Sequence, residues 1–484
     1  MLACSPAICS KFPMNSSTPE SFPQSQAQNQ PTNHLKRSMQ TRHLVMLSLG
    51  GAIGTGLFLN SGGVIAQTGP VGAMLAYFIG GIIAYLVMLC LGELAVHVPD
   101  SGAFSTYATR FINPATGYMI AWLYWLTWTA TLGTEFTAAG ILMQHWFPQV
   151  SVWIWCALFA VVIFLSNVFS TRVFAETEFF LAFIKVATVL IFIILGGCAI
   201  FGLMPAFMNG FQPAPLLHNL TAQGWFPNGL MPILVTMLAV NFAFSGMELI
   251  GVAAGETDNP GKTIPKAINA ALLRLLIFFV GTIFIIAALI PFEQLGLTES
   301  PFVLVFERMG IPYAADIMNF VIITALLSTA NSGLYAASRM MWSLSQQNML
   351  PKTFGKLTRR GIPLNALMFS MIGGLASLLT SVFAAETIYT HLLSIAAFTM
   401  VVVWMSVAVS HYRFRKQFLA QGGQLSALTY RAPFFPIVPI AAFVLCFITC
   451  LGMAFDPSLL GGLIGCLLFI AGCYASYYKW YAPA

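Results

Sequence analysis

The ionisable side chains inside the long apolar segments of this 484-residue chain include Glu135, Lys185 and Glu248. A charge at the centre of a membrane-spanning helix costs about 2.5–3.5 kcal/mol on insertion scales, so such a residue usually has a function. A carboxylate or an amine at that depth can take up and release a proton, and a carboxylate can also pair with a cation. Simpler roles stay open: Lys185 could reach the membrane interface, and the glutamates could hydrogen-bond a neighbouring or broken helix.

Two apolar segments contain residues that interrupt helices. The first, LSLGGAIGTGLFL at 47–59, has four glycines, each of which costs a helix interior about 1 kcal/mol relative to alanine. The second is NFAFSGMEL at 241–249. Backbone that leaves a helix at membrane depth must line a cavity or be satisfied by protein, and paired interruptions point to the central site of a transporter. Freed N–H groups suit a carboxylate and freed carbonyls an ammonium, which together fit an α-amino acid. Close helix packing is the alternative for either cluster.

The elements that position these residues are predicted to be membrane-spanning helices. The chain is 58% hydrophobic and only 7% charged, whereas soluble domains have about 25% charged residues. With the N-terminus inside, 17 of the 21 Lys and Arg residues fall in cytoplasmic segments, which favours cytoplasmic N- and C-termini. We therefore predict an all-α integral membrane protein with twelve spans, at 43–67, 71–98, 114–145, 152–170, 177–203, 228–254, 267–291, 313–346, 364–383, 386–410, 434–454 and 457–479.

The segments outside the spans predict no second folded domain. Residues 1–35 are rich in Ser, Gln, Asn and Pro, and we expect a disordered cytoplasmic tail there, followed by one transporter domain at 36–484. The outer segment 204–227 is either a lid-like turn or a plain connector. The net charge of +6 is spread over short loops, which indicates membrane topology and not nucleic-acid binding. Because no metal-ligand spacing or Walker loop is present, we expect no catalytic residue, metal or cofactor.

Three motifs resemble those of the amino acid–polyamine–organocation superfamily, and within it the bacterial amino acid permeases. They are GGAIGTGLF in span one, LGELAVHVPDSGAFSTYATRF at the end of span two and FAFSGMELIGVAAGETDNPGKTIPKAI in span six and its loop. The resemblance covers about residues 36–480. It implies the inverted five-plus-five repeat of the leucine-transporter type, with repeats at 43–203 and 228–410 and two extra helices at 434–479.

The same resemblance implies a substrate site at the two interruptions. Gly54, Thr55 and Gly56 are expected to receive the substrate carboxylate through backbone N–H groups and the threonine hydroxyl. The ammonium is expected at the carbonyl groups of Ile53 and of the span-six residues Phe242, Ala243, Phe244 and Ser245. Phe242 aligns with an aromatic gate that is a larger tryptophan in some relatives, which leaves the tightness of the closure open.

The resemblance also suggests roles for the ionisable residues. Lys185 occupies the place where sodium-coupled relatives bind a cation, so we expect proton coupling without sodium. Glu248 is expected to act in gating or proton coupling. Glu135 is expected to flank the substrate side chain and to pair with a positive charge there.

Further aromatic and charged residues carry weaker expectations. The faces of Trp122, Trp125 and Trp128 could attract a cation, although a packing stripe is the more ordinary role. Near the cytoplasmic ends of the spans, an inner gate could be formed by Glu93, Arg110, Arg42, Glu256 and Asp258, although ordinary surface charge pairs that contribute little are the favoured alternative. Arg274 and Arg339 receive no role.

We therefore expect a proton-coupled secondary importer that works by alternating access in a bacterial inner membrane. Its partners are an amino acid, protons and the lipid bilayer, and the oligomeric state is not readable. The segments WLYWLTWT and FPQVSVWIWC are most similar to permeases for S-methylmethionine, which is the expected substrate. Arginine, lysine or a neutral amino acid is the alternative substrate. A channel or a membrane sensor is the alternative class.

Overall fold

The structure is a computed structural model that describes residues 40–168, 171–203, 216–257, 259–297, 299–457 and 459–481. These residues belong to one compact unit, Leu35–Ala484. The predicted tail, Asp258 and the first half of the 204–227 loop lie outside the described residues, as does the side chain of Arg274.

The described residues form α-helices joined by short turns. The first half of the chain contains α1 Thr41–Ala52, α2 Thr55–Phe58, α3 Asn60–Thr68, α4 Pro70–His97, α5 Ala103–Phe111, α6 Pro114–Met143, α7 Val152–Asn167, α8 Thr171–Ile200 and α9 His218–Thr221. The second half contains α10 Met231–Ala243, α11 Leu249–Ala253, α12 Pro260–Leu289, α13 Pro301–Met309, α14 Ala314–Gln346, α15 Leu364–Ser370, α16 Ile372–Ala376, α17 Ala385–Ala420, α18 Ile437–Gly452 and α19 Leu460–Trp480. Short 3₁₀ turns occur at Ala254–Glu256, Phe292–Gln294, Ser377–Ser381, Leu425–Ala427 and Met453–Phe455.

Seven helical stretches among the described residues are long and apolar enough to cross a membrane. They are Pro70–His97, Glu178–Ile200, Ala314–Gln346, Leu364–Ser381, Ala385–Ala420, Ile437–Phe455 and Leu460–Trp480. Three shorter apolar helices are Val152–Asn167, Met231–Ala243 and Leu275–Leu289. The chain is therefore an all-helical, multi-pass membrane protein, and the count of twelve spans and the inverted repeat stay predictions.

Proline starts four of the long or amphipathic helices, α4, α6, α12 and α13. It suits this position because its missing N–H would have no partner in the first turn. At α6 the side chain of Asn113 adds a cap by accepting a hydrogen bond from Thr116 N at 2.8 Å. Helix α12 begins seven residues before the predicted span seven, because hydropathy detects only the apolar part of a helix and not its polar first turns.

Both predicted helix interruptions are confirmed. Ile53 and Gly54 separate α1 from α2, and the segment from Phe244 to Glu248 separates α10 from α11. Gly246 has φ +98°, a left-handed conformation that glycine adopts without a steric penalty.

The two interruptions pack directly against each other. A Cβ atom added to Gly246 would lie 2.3 Å from the backbone carbon of Gly51. One added to Gly56 would lie 2.5 Å from the Cα of Ala243. The glycines are therefore needed for close approach as well as for the breaks, so close helix packing is confirmed and the substrate site stays a prediction.

The interrupted helices are enclosed by the longest helices of the fold. Helix α6 packs along α14 and α17, and α1 packs against α8, α12 and α14. This arrangement brings one face each of α6, α8 and α14 to the first interruption, which is where the ionisable residues meet.

Candidate functional site

The backbone that leaves the helix at the first interruption is held by a buried carboxylate. Glu135, on α6, accepts hydrogen bonds at Oε1 from Thr55 N at 3.3 Å and from Thr55 Oγ1 at 3.2 Å. The side chain is 1% exposed. The donors that the resemblance assigns to the substrate carboxylate thus hold a carboxylate of the protein in this structure.

Lys185 reaches the other side of the same interruption. Its ammonium donates to Gly50 O at 2.6 Å and to Thr329 Oγ1 at 3.0 Å, and the residue is 1% exposed. The alternative of an ammonium extended to the membrane interface is therefore wrong. Two oxygen atoms, one from α1 and one from α14, contact the ammonium as they would contact a small cation.

Thr329 connects the ammonium to the interruption. Its hydroxyl oxygen lies 3.3 Å from the carbonyl oxygen of Ile53, to which it donates. A Cβ atom added to Gly54 would lie 2.7 Å from Glu135 Oε1 and 3.0 Å from Thr329 Oγ1. Gly54, Thr55, Glu135, Lys185 and Thr329 therefore form one contiguous group, which we call the central cluster.

The predicted span-six residues lie beside this cluster in different ways. Ala243 backs onto Gly56, and the carbonyl oxygen of Phe242 accepts a hydrogen bond from Ser245 N at 2.9 Å. All four span-six residues are buried. Phe244 turns its ring away, towards Phe279 and Tyr77, with ring centroids 4.6 and 6.3 Å apart, so only its backbone faces the interruption.

Glu248 lies at the second interruption and braces it. Both of its carboxylate oxygens accept from the backbone N–H of Gly246, at 3.1 and 2.9 Å. Tyr124 and Trp404 approach the same carboxylate. The structure thus assigns Glu248 the hydrogen bond that holds a broken helix, and its role in proton coupling stays a prediction.

The tryptophans of α6 are packing residues in this structure. Trp125 donates from Nε1 to Ser370 Oγ at 3.1 Å and stacks on Phe369 with centroids 4.9 Å apart. Trp122 packs edge-on against Trp125, and Trp128 lies against Gly333. These contacts support the packing stripe. None of them supports cation binding beside Glu135.

Glu93, one of the residues suggested for an inner gate, pairs with residues outside that set. Glu93 accepts from Arg415 Nε at 2.6 Å and from Ala432 N at 2.6 Å, and His411 Nε2 lies 3.1 Å from it. Its partner is thus not Arg110, whose guanidinium lies over the ring of Phe111.

The other members of that gate also pair differently. Glu256 accepts from Tyr335 OH at 2.7 Å and from Arg339 Nε at 3.2 Å, so Arg339, which received no role, forms a buried ion pair. Arg42 pairs with Glu176 at 2.9 Å on the exposed surface. Sequence spacing could not reveal these partners because they come from distant helices.

Three residues near the central cluster escaped the sequence analysis. They are Thr329, Glu178, whose carboxylate accepts from Ser328 Oγ at 2.6 Å, and Tyr389, whose hydroxyl lies near Thr55 and Glu135. Glu178 had a usable signal, since it precedes Lys185 by seven residues and so shares its helix face. Thr329 and Tyr389 are polar residues of ordinary type in apolar helices, so the sequence gave no signal for them.

A cavity of about 140 Å³ is lined by residues of α3, α10 and α17. Its polar lining includes Asn60, Gln67, Thr236, Thr390 and Asp456.

One group of possible metal ligands occurs among the described residues, at His145, Glu299 and Glu307. The pKa of Glu299 is raised by burial and by the neighbouring charge of Glu307. His145 Nε2 lies 3.0 Å from Asp316 Oδ1. Exposed acidic groups of this kind are common without a metal, and we assign none here.

The comparison with known proteins identifies relatives over most of the chain. The profile of the amino acid permease family matches residues 43–476. A protein of Bacillus subtilis (strain 168) named "Putative histidine permease" is 55% identical over 432 residues, which cover 89% of this chain and 90% of the relative. Amino-acid permease RocC of the same organism is 52% identical, over 92% of this chain and 95% of the relative. Lysine-specific permease LysP of Escherichia coli (strain K12) is 42% identical, over 88% of each.

These relatives agree with the geometry of the site. They are named permeases, which are transporters and not enzymes. Two broken helices that pack against each other are typical of the central site of a transporter. The chain belongs to the amino acid permease family, whose profile spans it from the first interrupted helix to the last helix.

Proposed function

We propose that the chain imports an amino acid with a basic or positively charged side chain, coupled to protons and independent of sodium. The observation that carries the proposal is the position of Lys185. Its ammonium lies between oxygen atoms of Gly50 and Thr329, next to the carboxylate that occupies Thr55. A charged group that belongs to the protein takes the place of a bound cation there.

The contacts of Thr55 suggest how the substrate carboxylate binds. In this structure its N–H and hydroxyl are occupied by Glu135. A substrate carboxylate competes for the same two donors because it has the same acceptor atoms. Binding then releases Glu135 Oε1, which becomes available for a positive group on the substrate.

This exchange of partners favours substrates with a basic side chain. Relatives named for histidine and for lysine support that class. S-methylmethionine, the expectation from the sequence, also carries a positive charge, but a sulfonium donates no hydrogen bond and would rely on charge alone. We therefore propose the class, with histidine, lysine and arginine first and S-methylmethionine as a competitor to be tested.

The proposed transport cycle uses the crossing of the two broken helices. The contact between Gly51 and Gly246 couples α1 to α11, so the two halves of the site move together. Rocking of these helices against α6 and α14 would expose the site to each side in turn, as in alternating-access carriers. The proposal includes twelve spans, cytoplasmic termini and a bacterial inner membrane.

Uptake into proteoliposomes tests this function. Labelled lysine, histidine and S-methylmethionine are offered separately at rising concentrations, with unlabelled neutral amino acids as competitors. A carrier gives saturable uptake that only its own substrates inhibit. Uptake that rises linearly without saturation would instead indicate a channel, and the absence of uptake for all substrates would leave the sensor alternative.

A further inference from the structure

Helix α8 carries a second buried ionisable residue on the face of Lys185. Glu178 lies seven residues earlier, two helical turns or roughly 10 Å along the axis. It is 1% exposed, like Lys185 and Glu135. The direction from Lys185 to Glu178 runs towards the start of α8, which is the cytoplasmic end in the proposed orientation.

Glu178 and Lys185 contact the same residue of α1. Lys185 Nζ donates to Gly50 O at 2.6 Å, and a Cβ atom added to Gly50 would lie 3.0 Å from Glu178 Oε1. Ser328, next to Thr329 on α14, donates to that Oε1 at 2.6 Å. The pair is thus held by consecutive hydroxyls of α14, Thr329 for the ammonium and Ser328 for the carboxylate.

The second oxygen of Glu178 is available. Oε2 is buried and receives no hydrogen bond from any residue that the structure describes. A buried carboxylate oxygen without a donor is costly unless a proton or a water molecule satisfies it. Its place beside an amine that can give up a proton makes Oε2 a suitable acceptor.

The charges of the buried groups also favour the uptake of a proton by Glu178. Glu135, Lys185 and Glu178 together contribute two carboxylates and one ammonium. An uncompensated buried charge costs several kcal/mol, so the three groups are most stable when they hold one further proton. That number of protons is what a carrier that moves one proton per cycle requires.

Polar groups continue from Glu178 towards the end of α7. Asn331 lies beside Glu178, and its Oδ1 accepts from Asn167 Nδ2 at 2.6 Å and from Ser166 Oγ at 2.7 Å. Asn167 is the last residue of α7. These groups connect the buried carboxylate to the helix ends at which α7 and α8 meet.

We propose that Glu178 takes the proton that Lys185 releases and returns it to water on the cytoplasmic side, at the polar surface formed by Asn331, Asn167 and Ser166. The inference rests on the proposed proton coupling and names the exit of the proton. A water molecule between the two side chains accepts the proton from the Lys185 ammonium, whose electron pair stays on Nζ, and gives a proton to Glu178 Oε2, where an O–H bond forms. Water on the cytoplasmic side then takes the proton and restores the carboxylate.

Among the side chains that the structure describes, we take Lys185 as the proton source of Glu178. Ser328, Asn331 and Ser332 face Glu178 from α14, and none of them is charged. On α1, the buried His43 and the exposed Arg42 pair with Glu176, two residues before Glu178 on α8. The side chains of the central part of α12, at 269–274, lie outside the described residues.

The test compares Glu178→Gln with the wild-type protein in proteoliposomes, using labelled lysine. One assay measures accumulation driven by an inside-alkaline pH gradient, and the other measures exchange with unlabelled lysine inside and no gradient. Exchange needs no net release of the proton, because the loaded carrier moves in both directions. We expect Glu178→Gln to lower accumulation at least tenfold and to keep at least half of the exchange. The matched control Glu386→Gln, at the exposed start of α17, is expected to keep both.

Each other outcome has a distinct meaning. If the wild type does not respond to the pH gradient, the proposed function fails before the variant is considered. If the wild type responds and Glu178→Gln responds equally, only the role of Glu178 is overturned. Loss of exchange and accumulation together in a variant that still binds lysine would show a structural role and also overturn the inference.

Two further variants keep the test decisive if Glu178→Gln does not fold. Glu178→Asp keeps a carboxylate and is expected to retain part of the accumulation. Ser328→Ala removes the hydroxyl that holds the carboxylate and is expected to shift the pH at which uptake is half-maximal, with exchange preserved. An unchanged pH profile in Ser328→Ala would overturn the proposal, and so would a Glu178→Asp variant that binds lysine but loses exchange together with accumulation.

Discussion

The carboxylate of Glu135 accepts hydrogen bonds from both the backbone N–H and the hydroxyl of Thr55, at 3.3 and 3.2 Å. It closes the interruption of the first span with a charged group from a different helix. The same donors suit a substrate carboxylate. In this structure they are occupied by the carboxylate of Glu135, with which a substrate would compete. Substrate binding is then an exchange of partners. The hydrogen bonds that the substrate carboxylate forms with Thr55 replace those of Glu135, and Glu135 can then contact a second group of the substrate.

Glu135→Gln tests whether the released carboxylate pairs with a basic side chain. Glutamine keeps a carbonyl acceptor for Thr55 but carries no negative charge. We expect uptake of lysine and histidine to fall at least tenfold, which corresponds to about 1.4 kcal/mol. Competition by neutral amino acids should change less. Full retention of lysine uptake would show that Glu135 does not contact the substrate side chain.

Gly54→Ala tests the space at the centre of the cluster. The added methyl group would lie 2.7 Å from Glu135 Oε1 and 3.0 Å from Thr329 Oγ1, so it would displace one of them. We expect membrane expression near the wild-type level with uptake reduced to background. The matched control is Gly472→Ala, where a Cβ atom meets nothing within 4 Å. Equal uptake in the two variants would contradict the assigned geometry.

Thr329→Val tests the link between the ammonium and α14. Valine keeps the shape of the side chain but removes the oxygen that lies 3.0 Å from Lys185 Nζ. We expect proton-driven uptake to fall at least tenfold, since a hydrogen bond to a charged group contributes about 1.5–3 kcal/mol. Thr324→Val is the control, because that hydroxyl donates to Val321 O on its own helix. Indistinguishable uptake by the two variants would remove Thr329 from the site.

Glu93→Gln tests whether the buried ion pair with Arg415 stabilises the fold. Removal of one partner leaves an unpaired buried charge, which costs about 3–5 kcal/mol. The exposed pair of Arg42 and Glu176 contributes about 0–1 kcal/mol, so Glu176→Gln is the control. Thermal unfolding in detergent should show a clear decrease in Tm for Glu93→Gln only. Similar Tm values for both variants would mean that the pair with Arg415 is not formed in the folded protein.

The sequence was sufficient to predict most helices and the residues whose type is unusual in a membrane-spanning helix. Apolar length revealed most helices, glycine clusters revealed both interruptions, and Lys185 was conspicuous because a charge at that depth needs a reason. The family followed from three motifs. Each of these signals depends only on residues that are close together in the sequence.

Side-chain partners could not be predicted in the same way. The ring of Phe244 points away from the interruption, Glu93 pairs with Arg415, and Arg339 pairs with Glu256. Each depends on the rotation of a helix about its own axis and on which distant helix packs against it. Spacing along one helix fixes a shared face, as for Glu178 and Lys185, but not what that face meets.

The most direct measurement of the central claim is lysine or histidine uptake by proteoliposomes in sodium-free buffer with an imposed pH gradient. We expect the wild-type protein to accumulate label when the inside is alkaline, and an uncoupler to abolish the accumulation. Lys185→Ala should lose this accumulation, because the ammonium between Gly50 O and Thr329 Oγ1 is absent. Uptake that requires sodium, or that continues unchanged after the uncoupler is added, would contradict the account.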